Sequence, residues 1–214
     1  MANDITFYTH PMSRGRIVRW MLEEVGQPYD TEVLDYGTTM KAPEYLAINP
    51  MGKVPAIKHG EVVVTECAAI CAYLADAFPA TGLAPSVSDT ARGAYYRWLF
   101  FVAGPLEAAT TNKVLEVVVP QDKKGMAGYG SLAEVEDAID THLEGRDFIA
   151  GDTFSAADLY LSAHLGWGMQ FGTLERRANF ERYSQLHAAR PAAKRANEID
   201  DALMAKHPIP GVVG

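Results

Sequence analysis

The sequence predicts an α/β plus all-α chain, with a mixed N-terminal domain followed by a purely helical one, and three observations carry that expectation. Strand-like and helix-like apolar periods alternate over about the first eighty residues. A Pro/Gly-bearing stretch, Pro79-Ala80-Thr81-Gly82-Leu83-Ala84-Pro85, then interrupts the pattern. Beyond it no convincing strand follows, and the apolar runs take helical spacing. The expected boundaries are 1–79 for the α/β domain, 80–88 for a linker and 89–214 for the helical domain.

Taken in order, Ile5-Thr6-Phe7-Tyr8 is a short β-prone run ended by His10-Pro11. From Arg14 to Val25 the apolar residues Ile17, Val18, Met21, Leu22 and Val25 fall on one helical face, and Gly26 closes the helix. Tyr29 to Leu34 reads as a second strand, giving a β-α-β unit with a parallel pair. Ala56 to His59 and Val62 to Thr65, turning at Gly60, read as a hairpin. Glu66 to Phe78 follows as a helix stopped by Pro79. The order βαβ, loop, ββα is that of a thioredoxin-like domain. In the second half, 89–118, 131–144, 155–171, 174–188 and 191–205 read as helices. Gly104-Pro105 is expected to kink or break the first of these, and Val117-Val118-Val119 is ambiguous because it is β-branched.

Bulk properties exclude several classes. The 214 residues carry a formal net charge of -8, which argues against a general nucleic-acid binder. No apolar run approaches the roughly 18 residues of a membrane span. The start of the chain lacks the basic and apolar regions of a secretory signal. Two cysteines, Cys67 and Cys71, make no disulfide framework. The default expectation is a cytoplasmic protein without membrane contact.

Three patterns then converge: Tyr8-Thr9-His10-Pro11-Met12-Ser13-Arg14; Asn49-Pro50-Met51-Gly52-Lys53-Val54-Pro55-Ala56-Ile57 continuing to Thr65-Glu66-Cys67; and Phe154-Ser155-Ala156-Ala157-Asp158. In this order and at these separations the chain resembles the cytosolic glutathione transferase family, in particular bacterial members of a serine-type or beta-like kind. The resemblance implies a thioredoxin-like N-terminal domain that binds glutathione and an all-helical C-terminal domain. Glutathione is then a co-substrate, with no further cofactor and no metal. A homodimer and a small hydrophobic electrophile are the other implied partners, and nucleic acid is not among them.

By that resemblance Pro55 follows a cis peptide bond, and the Val54 main chain pairs with the cysteinyl part of glutathione; an isolated X-Pro bond is otherwise usually trans. Glu66 and the residue after it form the start of a helix that receives the γ-glutamyl carboxylate. The family has a serine at that second position and this chain has Cys67, a weaker donor. A thiol at a helix N-terminus has a lowered pKa, so Cys67 is either a redox site or inert packing; Cys71, one turn on, reads as packing. Lys53, and Lys41 before Pro43, match positions that reach the glycine carboxylate, or are surface lysines.

Making a thiolate from a thiol with an ordinary pKa near 8.5 requires a donor in the first strand–helix loop. Ser13 and Tyr8 compete. Ser13 stands just before the helix, where it serves equally as an N-cap; Tyr8 is the strand-end tyrosine that some classes use. Arg14 and Arg16 either support the electrostatics or form a solvated helix face, and His10 is a further loop donor.

In the helical half, Ser155-x-x-Asp158 is a capping-box signature flanked by the staple pair Phe154 and Leu159. As a cap, Asp158 is worth about 0.5–2 kcal/mol. The resemblance puts a second-substrate pocket between the domains, with Met12, Tyr95, Phe101, Trp167 and Phe171 as candidate lining, although aromatic stripes at helical spacing are more often core. Glu107 either approaches a partner subunit's site or is solvated. His142 and His164 lack metal-ligand spacing. A glutathione-dependent isomerase, peroxidase or reductase is a second function class, although a reductase would want a cysteine at the Ser13 position. A non-catalytic binding relative is a third.

Overall fold

A computed structural model describes residues 3–207 of the chain; positions 1–2 and 208–214 of the expected domains lie outside it. The first unit opens with β1 (Ile5–Thr9), α1 (Gly15–Val25) and β2 (Tyr29–Val33), followed by the short helix α2 (Pro43–Leu46). Then come β3 (Ala56–His59), β4 (Val62–Thr65) and α3 (Cys67–Ala77). The sheet order is β2-β1-β3-β4. Strand β1 runs parallel to β2 and antiparallel to β3, so that Phe7 lies opposite Thr31 on one side and Ile57 on the other. Strands β3 and β4 form the hairpin expected at Gly60. This is the thioredoxin-like arrangement that the element order implies.

Alternation along β1 sends Ile5, Phe7 and Thr9 into the core, while Thr6 and Tyr8 are half-buried. Ile17, Val18, Met21, Leu22 and Val25 of α1 are all buried, and α1 packs on α3 and on the sheet. Each such side chain contributes roughly 1.5–3 kcal/mol by leaving water. Gly26 ends α1 in a left-handed conformation (φ 71°) with its N–H bonded to the Leu22 carbonyl.

The second unit holds α4 (Ala91–Phe101), α5 (Glu107–Val114), α6 (Leu132–Leu143), α7 (Ala156–Gln170) and α8 (Ala178–Ala188). Gly104-Pro105 does not break the first long helix. Residues Val102–Leu106 instead form a π-helical turn joining α4 to α5, and the wider turn accommodates a proline that has no N–H to give. The helix ends at Val114, short of the expected 118. Glu116 takes a positive φ of 55°, and Val117-Val118-Val119 is irregular, as its β-branched composition allows.

One boundary shifts. The last helix, α9 (Pro191–Met204), was expected in the helical domain, but it packs along α1. Among the described residues the compact units are therefore 3–81 with 191–207, and 82–190. No helix among the described residues is long and apolar enough to cross a membrane.

Candidate glutathione site

The loop between β1 and α1 is held largely by side chains, with the Ser13 and Arg14 carbonyls accepting the Arg16 and Ile17 N–H groups. The Ser13 hydroxyl donates to the His10 carbonyl oxygen (2.6 Å) and accepts the Gly15 N–H (2.9 Å). The Met12 N–H donates to His10 Nδ1 (3.1 Å), which leaves the neutral ring its proton on Nε2. Burial pushes the His10 pKa down, which favours that neutral form; Asp35 opposes the shift in part. Tyr36 donates its hydroxyl hydrogen to the Met12 carbonyl (2.8 Å), and Arg16 Nε donates to that of Pro11 (2.6 Å). Gly15 is required here, because a Cβ would collide with the Thr9 hydroxyl and crowd Ser13 Oγ.

Tyr8 faces the other side of β1, with its ring 5.6 Å from that of Tyr45. Burial, reinforced by Glu32, raises its pKa, so the phenol keeps its proton and remains a donor. Ser13 therefore ties the loop together one residue ahead of Arg14, the N-cap of α1, while Tyr8 packs against an apolar cluster of Met40, Tyr45 and Ala56.

The segment before β3 is braced as well. The Lys53 carbonyl accepts from the Tyr45 hydroxyl (2.5 Å) and from Asn49 Nδ2 (2.8 Å). Lys41 donates from Nζ to the carbonyls of Met51 (3.0 Å) and Gly52 (2.8 Å). Two of its three ammonium hydrogens are thereby committed to the loop, whereas the Lys53 side chain is exposed. Gly52 has φ 55°, and a Cβ there would meet the Met40 carbonyl and the Lys41 side chain. The Val54–Pro55 peptide bond is cis. Among the described residues, no hydrogen bond takes up the Val54 amide or carbonyl.

Helix α3 starts directly after Glu66, which holds φ 69° and ψ 124°, a conformation that costs a non-glycine residue of order 1–3 kcal/mol. Such strain persists where the surroundings over-determine it, and it clusters at ligand-binding positions. Cys67, the first residue of the helix, is buried, and its thiol lies 3.5 Å from the Arg14 carbonyl oxygen. The start of α3 is thus placed against the start of α1. Cys71 is fully buried packing, and neither cysteine forms a disulfide.

The pocket candidates in the helical unit divide. Tyr95 is completely buried and belongs to the core, so its assignment to a pocket wall is corrected. Phe101 and Trp167 are half-buried, and Phe171 is exposed, as is expected of residues at a surface; Met12, in the first unit, is half-buried too. Glu107 is not simply solvated: its Oε1 accepts the Tyr160 hydroxyl (2.6 Å) and lies 3.2 Å from His164 Nε2. Asp158 accepts the Ser155 N–H and hydroxyl, and also the Ile149 N–H. No cluster of three or more His, Cys, Asp or Glu among the described residues is arranged to hold a metal.

Sequence reasoning missed Tyr36, Tyr45 and Gly15, and gave Asn49 no role of its own. Asn49 alone carried a signal, since it opens the Asn-Pro-Met-Gly-Lys-Val-Pro run; Tyr36 and Tyr45 lie in polar loop sequence without periodicity.

A family model described as the glutathione S-transferase N-terminal domain matches residues 12–77, and one described as the C-terminal domain matches 106–191. A glutathione S-transferase of Xanthomonas campestris pv. campestris is 32% identical over 163 residues, spanning 73% of this chain and 76% of the relative. Among solved structures, a glutathione transferase from Methylococcus capsulatus has 29% identity and a TM-score of 0.78, over 92% of this chain and 99% of its own. A sphingomonad glutathione S-transferase complexed with glutathione is 29% identical with a TM-score of 0.75, over 92% and 98%.

Proposed function

Because this chain belongs to the glutathione S-transferase family, we propose that it is a cytoplasmic transferase that ionises glutathione on its thioredoxin-like unit and conjugates it to a small hydrophobic electrophile. The observation that carries this reading is the Val54 main chain, whose donor and acceptor are untaken within a loop clamped at Lys53 by Tyr45 and Asn49. A strand-like ligand backbone, such as the cysteinyl unit of glutathione, satisfies both groups at once. The γ-glutamyl carboxylate then lies at the start of α3, where the first-turn N–H groups lack intrahelical partners.

With the cysteinyl unit so held, the sulfur comes to the β1–α1 loop. Ser13 is its donor: the hydroxyl turns from the His10 carbonyl to the thiolate, exchanging a neutral hydrogen bond for a stronger charge-assisted one. The N-terminus of α1 adds a favourable field. The thiol proton passes to solvent; the thiolate electron pair then forms a carbon–sulfur bond with the electrophile, and a leaving group departs with its own pair. Lys53 is free to reach the glycine carboxylate, while Lys41 acts by holding the loop.

The proposed enzyme is a homodimer. Each unit exposes apolar side chains that a second copy would cover: Met51, Val62 and Val63 in the first, Tyr96 and Phe100 in the second. Retention on immobilised glutathione, followed by assay against a panel of electrophiles, hydroperoxides and mixed disulfides, tests the function. Conjugation is expected to dominate. No binding at millimolar glutathione would remove this reading.

A further inference from the structure

Four main-chain groups of the His10–Ser13 loop are held by side chains, and one of those side chains differs from the rest. Arg16 stands in the first turn of α1 and carries the Pro11 carbonyl on Nε, while its Nη2 donates to Asp201 Oδ1 on α9 (2.7 Å). The neighbouring Asp200 fixes α9 itself. It receives Arg19 Nε of α1 (3.1 Å), and both side chains are 1% exposed. Arg19 in turn donates to Tyr29 and Thr31 of β2 and lies 4.9 Å over the Phe7 ring of β1. The last helix is thereby locked to the sheet, and from that fixed position Asp201 reaches Arg16.

The Asp201 carboxylate is 68% exposed, so the ion pair adds little stability. Its effect is directional. A guanidinium is a planar, rigid fork, and fixing one arm fixes the other. Held by Asp201, Arg16 presents Nε to the Pro11 carbonyl and leaves the 11–13 loop one position.

We infer that Arg16 and Asp201 are positioning residues through which the C-terminal helix sets the loop carrying Ser13. The geometry stands alone; its consequence for turnover rests on the transferase reading above. Arg195 supplies the control, because it also ties α9 to α1, through Glu23 (3.2 Å), but touches no part of the loop.

The test compares Arg16→Met, Asp201→Ala, their double variant and Arg195→Met by hydrogen exchange at amides 12–17 and by steady-state conjugation of glutathione. Arg16→Met should speed exchange at those amides and lower kcat about tenfold, with KM for glutathione moving by less than about threefold, since small misplacements near the reacting group act on rate. The pH profile of kcat should shift upward as the thiolate loses support. Asp201→Ala should show the same changes at smaller size. The double variant should be no worse than Arg16→Met, because Asp201 acts only through Arg16. Arg195→Met should behave as the unaltered chain. Arg16→Met matching Arg195→Met in both readouts, or additive losses in the double variant, would overturn the dyad. If the unaltered protein does not conjugate glutathione, the functional reading falls, and exchange alone decides the dyad.

Discussion

Tyr183 donates its hydroxyl hydrogen to Asp158 at 2.6 Å, joining α8 to the first turn of α7. The same carboxylate accepts the Ile149 N–H (2.7 Å), the Ser155 N–H (2.8 Å) and the Ser155 hydroxyl (2.7 Å). Burial, with the Asp158 charge behind it, drives the Tyr183 pKa well up, so the phenol stays a donor throughout. Asp158 is therefore more than a cap. Its replacement by Ala strands several buried donors, and the expected loss is about 3–5 kcal/mol in urea unfolding, above the cost of a plain cap. Glutathione affinity of the folded variant should be unchanged. A loss under about 2 kcal/mol would show that the carboxylate serves only its own helix.

Cys67 offers a second measurement. Its thiol is buried against the Arg14 carbonyl at the start of α3, where a carboxylate is expected to bind. A hydroxyl donates more strongly than a thiol. Cys67→Ser should thus tighten glutathione binding about two- to tenfold by calorimetry, a gain of about 0.4–1.4 kcal/mol, comparable to one hydrogen bond. Unchanged or weaker binding would remove the carboxylate from this helix start.

The donor assignment can be settled by a pair of variants. Tyr8→Phe keeps the ring packed on Tyr45 and removes only the hydroxyl. Ser13→Ala removes the proposed thiolate donor and the acceptor of the Gly15 N–H. Ser13→Ala should lower kcat by about 10²-fold, as for other lost transition-state donors, and cost about 1 kcal/mol of stability through its lost hydrogen bonds. Tyr8→Phe should stay within about threefold. A reversed order would move the role to Tyr8.

The fold was largely legible because its signals are local. The alternation in Ile5–Thr9, the helical stripe from Ile17 to Val25 and the Gly60 turn each state their element within a few residues. The π turn was not legible, because a Gly-Pro pair predicts disruption without saying whether the helix stops or widens. The placement of α9 was hidden for a different reason. It depends on Asp200 meeting Arg19 across 181 positions, and neither residue lies in a recognisable pattern. The site divides in the same way. Val54, Pro55, Glu66 and Cys67 belong to contiguous motifs, whereas the clamps come from Tyr45 on the loop before β3 and from Tyr36 and Arg16 on the loop carrying Ser13, and their partners are backbone carbonyls. Main-chain acceptors are alike at every residue, so the sequence does not mark which one a side chain will reach.

Stability should fall on mild acidification, and the sign follows from three histidines. Burial is the leading cause that lowers the pKa of His10, His142 and His187 from the ordinary 6.5. His10 Nδ1 accepts the Met12 N–H, a bond only the neutral ring makes, whereas the carbonyls of Ile149 (3.0 Å) and Asp147 (2.9 Å) accept from Nε2 of His142 and of His187 and offset the effect of burial in part. The unfolded chain takes up these protons as pH drops through about 6.5, and the folded chain resists until its own lower values are reached. The histidine contribution is therefore complete above that pH and declines below it, by at most about 1.4 kcal/mol per pH unit for each ring. Asp200, raised by burial from 3.8, has the opposite sign, so the folded chain holds its proton more tightly. Urea midpoints at pH 7.5, 6.5 and 5.5 should descend in that order. His142→Gln keeps a donor for the Ile149 carbonyl and removes one titrating group, so its pH slope should be shallower whatever its absolute stability. A flat profile in the unaltered chain, or an unchanged slope in the variant, would mean that these rings are not held neutral by the fold.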